Sequence, residues 1–101
     1  NAIILPAVME YNLPGLEEKV KRMSEAMQFT DHSVDGFKNN LNQMLDRLKI
    51  PNGLNEIGVP EDCYERIAKK SMLDQAYGQN PKKATLDEVK ELTLKSIKKA
   101  R

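Results

Sequence analysis

Between Val34 and Leu48, the apolar residues Val34, Phe37, Leu41, Met44, Leu45 and Leu48 recur on one face at helical spacing, with asparagines, Lys38 and Asp46 opposite. No segment alternates with a period of two for long enough to make a sheet, and this periodicity constrains the fold more than any other feature. Leu16, Val20, Met23 and Met27 mark another amphipathic helix, in which Glu18 and Arg22 stand four apart in the favourable order. Pro60 at a first helical position, with Glu61 and Asp62 in the positive first turn, opens a further helix with Tyr64, Ile67, Ala68, Ser71 and Met72 on its inner face. Thr85 and Glu88 form a capping box ahead of a last helix carrying Leu86, Val89, Thr93, Ile97 and Ala100 on one side. Together with the apolar start from Ala2 to Met9, the expectation is an all-α chain of about five helices in an irregular bundle with short connectors.

The connectors carry their own signals. Pro6 fits a helix only near its first turn or at a kink, and Asn12-Leu13-Pro14-Gly15 supplies a stop. In Phe29-Thr30-Asp31-His32-Ser33, Ser33 or Asp31 is the expected cap of the helix that follows. Gly36, early in that helix, costs about 1 kcal/mol relative to alanine, so packing must compensate. The helix is expected to stop at Ile50-Pro51-Asn52-Gly53, and Leu54 to Val59 to form a packed turn. The helix opened by Pro60 should run to near Gln75, after which Ala76 to Pro81 breaks regular structure.

The chain is 101 residues long, enough for one small domain and too short for a complete cofactor-dependent enzyme with its own site. A net charge of +1 lacks the basic excess that nucleic acids or anionic membranes select, so neither is an expected partner. The apolar start falls short of the roughly 20 residues of a membrane span and lacks the flanks of a secretory signal. The single cysteine, Cys63, excludes an intrachain disulfide framework and fits a reducing compartment, the cytoplasm.

Three or four converging ligands are needed for a metal, and His32 and Cys63 stand alone in different segments. His32 reads as a capping or solvated loop residue. Cys63 reads as a structural thiol in a first helical turn, where Glu61 and Asp62 oppose a thiolate. Glycines 15, 36, 53, 58 and 78 are too scattered to cradle a phosphate. The pairs Glu17 with Glu18 and Glu61 with Asp62 complement helix dipoles, and Lys95, Lys98, Lys99 and Arg101 read as the solvated cationic end of the last helix. No cofactor is expected to bind this chain by itself.

Four stretches carry a resemblance. Asn1-Ala2-Ile3-Ile4-Leu5-Pro6-Ala7-Val8-Met9-Glu10-Tyr11-Asn12 resembles the N-A-I-x-L-P-x-V-M-x-[FY]-N run of the iron-containing alcohol dehydrogenase family. Leu48-Lys49-Ile50-Pro51 matches its L-x-I-P, Leu54 to Val59 its L-x-E-x-G-V, and Asn80-Pro81-Lys82-Lys83-Ala84-Thr85 its N-P-R-x-A-T. They are colinear and span essentially the whole chain.

The resemblance implies a two-domain, homo-oligomeric parent with an N-terminal α/β domain that binds a nicotinamide dinucleotide. Residues 1–101 would belong to its C-terminal helical, dehydroquinate synthase-like domain. In that family a divalent metal, Fe(II) or Zn(II), is held by an aspartate and three histidines while hydride passes between alcohol and NAD(P). The last of those histidines belongs to an H-G-x-x-N-A motif whose first residues would precede Asn1, so no catalytic, cofactor-binding or metal-ligating role is carried onto any residue here. Asn1 in place of an initiator methionine fits a piece cut from that longer enzyme, inactive alone, whose missing N-terminal domain would pack against Ile3, Ile4, Leu5, Val8 and Met9.

Two departures stand out: Ala7 replaces a frequent histidine or tyrosine, and Ala76 a cysteine near the substrate cavity. Ala76 and Tyr77 are therefore the residues the resemblance places at a substrate channel; the alternative is a helix terminus followed by a packed loop. Lys82 replaces the usual arginine and keeps its charge but not its planar fork. The competing function is a stand-alone helical module whose groove binds a partner helix.

Overall fold

Five α-helices and no strand make up the computed structural model, which describes residues 1–101. They are α1 (Leu5–Asn12), α2 (Glu17–Ala26), α3 (Val34–Arg47), α4 (Tyr64–Met72) and α5 (Leu86–Lys98), with 3₁₀ turns at Leu54–Ile57, Glu61–Cys63 and Gln75–Gln79. The all-α expectation holds. None of the helices is long and apolar enough to cross a membrane.

Pro6 lies in the first turn of α1, where its missing N–H would have found no helical partner anyway. Of the two candidate caps of α3, Ser33 does the capping: its Oγ accepts from the Gly36 N–H at 3.0 Å. Asp31 braces that cap by accepting from the Ser33 N–H at 2.9 Å and hydroxyl at 2.7 Å. A Cβ on Gly36 would stand 2.2 Å from the Asp31 Cγ, so this close approach of turn and helix is the packing that compensates for the glycine. Thr85 and Glu88 form both halves of the expected capping box at α5.

Helix ends are where the structure departs from expectation. Helix α3 stops at Arg47, before Ile50-Pro51-Asn52-Gly53, because Lys49 takes the left-handed conformation with φ 58°. Its N–H bonds to the Asp46 carbonyl and the Ile50 N–H to the Leu45 carbonyl, both at 3.0 Å, the pattern of a Schellman motif. Gln28, with φ 61°, closes α2 in the same way. This turning-out leaves Met27 and Leu48 exposed, at 42% and 64%, rather than on the inner faces.

Pro60 precedes a 3₁₀ turn and α4 begins only at Tyr64. Helix α4 ends at Met72 and not near Gln75, because Asp74 is extended and caps the next turn by accepting from the Ala76 N–H at 2.8 Å. Ala76 to Gln79 therefore belongs to a regular 3₁₀ turn.

The most extensive helix contact is α4 against α5; α1 touches both α3 and α5, and α2 lies on α3. Leu13, Val20 and Phe37 form a buried cluster with Met9, Met23, Phe29 and Val34 around it, and the Phe29 and Phe37 rings meet edge-on at 5.8 Å. The molecule measures 40 × 30 × 18 Å, about two helices thick, so only 15 of 101 residues are buried.

At the cationic end Lys98 and Lys99 are exposed as a solvated face requires, but Arg101 is not. The Arg101 side chain is buried and donates from Nε to Asp46 Oδ1 at 3.0 Å, from Nη1 to the Pro51 carbonyl at 3.2 Å, and from Nη2 to the Ile50 carbonyl. Lys95 pairs with Glu10, and Lys98 with Glu61 at 3.7 Å. The carbonyls just past α3 attract the guanidinium, which caps them as a helix C-terminus favours. The packed turn at Leu54–Ile57 contacts α5, with Leu54 and Val59 half-buried and Ile57 exposed.

Candidate functional site

A cavity of about 380 Å³ opens between α1, the end of α4, the Gln75–Gln79 turn and α5. Val8, Tyr11 and Asn12 reach it from α1, and Val89 and Leu92 from α5. Ala76 and Tyr77 stand together in its wall, and Asp74, Asn80 and Ser71 complete that side. Helical spacing explains the first set, since Val8 and Tyr11, like Val89 and Leu92, lie three apart on one face.

Hydrogen bonds fix the walls. Asn12 and Asn80 face each other as a reciprocal amide pair, each Nδ2 donating to the other's Oδ1 at 2.9 Å. The Tyr77 hydroxyl donates to the Ala84 carbonyl, and the Tyr11 hydroxyl to Glu88 Oε2 at 3.0 Å. Lys82 stands over the Tyr11 ring, 4.2 Å from its centroid.

The backbone N–H of Thr85, then the Tyr11 and Thr85 hydroxyls, hold the Glu88 carboxyl below its ordinary value. Desolvation, reinforced by the bond to Glu88, pushes the Tyr11 phenol up. Beside this, a second opening of about 360 Å³ is lined by Glu10, Glu88, Glu91 and Lys95, and the bond from Lys95 lowers the Glu10 carboxyl.

The remaining candidates lie elsewhere and apart. His32 is exposed, its Nε2 3.0 Å from the Phe29 carbonyl oxygen. Cys63 is half-buried at the end of a 3₁₀ turn rather than inside a first α-helical turn, and Arg66 Nη2 approaches its Sγ at 3.4 Å. No three His, Cys, Asp or Glu side chains converge, so the donor set of this chain does not fit a metal ion. Ala76 and Tyr77, singled out from the sequence, line this cavity together with Tyr11, Asn12 and Asn80, which sequence reasoning gave no site role, and Glu88, read there as a helix cap, also anchors Tyr11. The available signal was that Asn12 ends one of the four stretches and Asn80 begins another.

Two of those stretches meet in space. The first and the last join at the Asn12–Asn80 pair. The second is gripped at Ile50 and Pro51 by Arg101, and the third packs on α5. Comparison with known proteins accords with this arrangement: the model of the Fe-containing alcohol dehydrogenase family, C-terminal region, matches residues 1–97. The chain belongs to that family.

It is similar to a lactaldehyde reductase of Escherichia coli, 31% identical over 91% of this chain and 26% of that protein. It is similar also to a 4-hydroxybutyrate dehydrogenase of Cupriavidus necator, 26% identical over 96% of this chain and 26% of that protein. An NADPH-dependent butanol dehydrogenase of Clostridium saccharobutylicum is 28% identical over 91% of this chain and 26% of its own length. The chain thus spans about a quarter of the length of these relatives. No solved structure matches it.

Proposed function

We propose that this chain is the C-terminal helical part of a metal-dependent, NAD(P)-linked alcohol dehydrogenase that interconverts primary alcohols or diols and aldehydes. The carrying observation is that two family stretches 68 residues apart are tied at Asn12 and Asn80 beside one cavity, with Ala76 and Tyr77 in its wall. That cavity is the substrate-channel side contributed by this chain. In this reading the metal and the dinucleotide are held by the upstream part of the parent, and the chain alone is inactive, in keeping with a match that covers about a quarter of its relatives' length. The parent is a cytoplasmic homo-oligomer whose N-terminal domain is the partner of this chain. The match along residues 1–97 to one dehydrogenase family favours this reading over a stand-alone interaction module.

Purified chain supplied with Fe(II) or Zn(II) and NAD(P) is expected to oxidise no primary alcohol or diol. The same polypeptide extended upstream through a His-Gly-x-x-Asn-Ala motif and on through the whole N-terminal domain is expected to do so. Robust turnover by the chain alone would overturn the fragment assignment, and a reading frame without that upstream His-Gly would overturn the dehydrogenase parent.

A further inference from the structure

The cavity of Ala76 and Tyr77 is lined by many polar groups that are already committed to one another. The Tyr11 hydroxyl donates to Glu88, the Tyr77 hydroxyl to the Ala84 carbonyl, and the Ser71 hydroxyl to the Ile67 carbonyl at 2.8 Å. Both protons of the Asn80 amide are spent, one on Asn12 Oδ1 and one on the Lys82 carbonyl. Among the side chains of the lining, one N–H of Asn12 remains free to donate.

The charge balance points the same way. The lining contains one acidic side chain, Asp74, on its exposed side and held by the Ala76 N–H, and no cation. Lys82 lies across the Tyr11 ring, and its charge acts on Glu88. The rest of the surface is apolar, from Val8, Ala84, Val89 and Leu92. A volume of about 380 Å³ is ample for a chain of several carbons.

A carboxylate entering such a site would exchange its hydration for one N–H and an opposing charge, whereas a neutral hydroxyl needs one acceptor and one donor at most. The lining holds one group of each kind, the Asp74 carboxyl and the unused Asn12 N–H. We infer that the cavity takes the body of an uncharged alcohol or diol and rejects hydroxy acids, with Asp74 as the specificity-determining residue. This rests on the substrate-channel reading of Ala76 and Tyr77.

The test uses two probes of equal length and different charge, 1,5-pentanediol and 5-hydroxypentanoate, titrated into the chain at pH 7 and followed by amide chemical shifts. The diol should move the amides of Tyr77, Ala84 and Val89 and bind at least about fivefold more tightly than the acid, given one close like charge and one unmet acceptor. Asp74→Asn, which keeps a capping oxygen, should shrink that preference to about twofold or less. Asp74→Ser, also a capping type, should repeat the result should the first variant unfold.

Equal binding of the two probes, shifts confined to other residues, or a preference that Asp74→Asn leaves intact would each overturn the inference. So would finding, in the extended polypeptide, that an upstream segment fills the cavity. The inference and the dehydrogenase reading fail separately. Selective diol binding without NAD(P)-linked turnover in the extended polypeptide removes only the latter, and turnover that favours the hydroxy acid removes only the former.

Discussion

Gly36 and Gly53 are both buried, but what each would meet as alanine is different. At Gly36 the new Cβ would stand 2.2 Å from the Asp31 Cγ and 2.6 Å from its Cβ; the carboxyl can swing towards solvent at the expense of its bonds to Ser33, but the Cβ is anchored to the backbone, so the turn itself must shift. Alanine regains about 1 kcal/mol of helix propensity there, which offsets part of that cost, so Gly36→Ala should destabilise by about 1 kcal/mol. At Gly53 the new Cβ would stand 2.6 Å from the Ile97 carbonyl oxygen and 2.9 Å from that of Lys98, and backbone cannot swing aside. Gly53→Ala should therefore destabilise by about 2 kcal/mol, in urea melts followed by circular dichroism.

Sequence showed Gly36 as a liability but hid its compensation, since nothing in the pattern says that Asp31 folds back against it. Glu88 gives a residue-scale pH dependence. Its carboxyl is held low in the folded state, so its stabilisation is present above the unfolded carboxylate value of about 4.3 and fades as pH falls through the lower folded value. Glu88→Gln should flatten the acid limb of a stability profile below about pH 5, and an unchanged slope would show that the Tyr11 and Thr85 bonds contribute nothing.

The inner faces of the helices were legible because burial imposes a 3.6-residue period that composition cannot mimic; Val20, Phe37, Leu41, Leu45 and Ile97 are all buried as their spacing requires. The end of α3 was not legible. The left-handed terminators of α2 and α3 are Gln28 and Lys49, where glycine or asparagine would have announced a Schellman motif, and after α3 the proline and glycine further on drew the boundary too late.

An L-residue in that conformation costs about 1–2 kcal/mol, part of which glycine returns as unfolded-state entropy. Lys49→Gly and Gln28→Gly should each raise stability by about 0.5–1 kcal/mol, a few degrees in the melting temperature of a chain this size. The same substitution at Leu48, whose backbone is ordinary right-handed helix, should lower it. If Lys49→Gly destabilises instead, the turn after α3 is held by something other than its backbone conformation.

At the scale of the molecule, a chain two helices thick has little interior, so distant segments must be joined by particular contacts rather than by a deep core. Arg101 joins the C-terminal end to the turn after α3, and the Asn12–Asn80 pair joins α1 to the turn before α5. Neither tie could be derived from periodicity. A reciprocal amide pair leaves no trace in hydropathy, and its members lie 68 residues apart. For the same reason the cavity was legible only at Ala76 and Tyr77, through resemblance, and not at the residues that hold its wall.

If the amide pair is what fixes that wall, Asn12 and Asn80 should behave as one unit. Removing either leaves its partner half-buried and short of two hydrogen bonds, so Asn12→Ala and Asn80→Ala should each cost about 1–2 kcal/mol. Removing both should cost little more than one, a coupling of about 1 kcal/mol in a double-mutant cycle. The Asn80 amide also holds the Lys82 carbonyl, so its single variant should be the worse of the two. Strictly additive losses would mean that the amides act independently and that α1 is positioned by its apolar contacts with α3 and α5 alone. The cavity would then keep its shape in either variant, and probe binding at Tyr77 and Ala84 would survive the loss of Asn80.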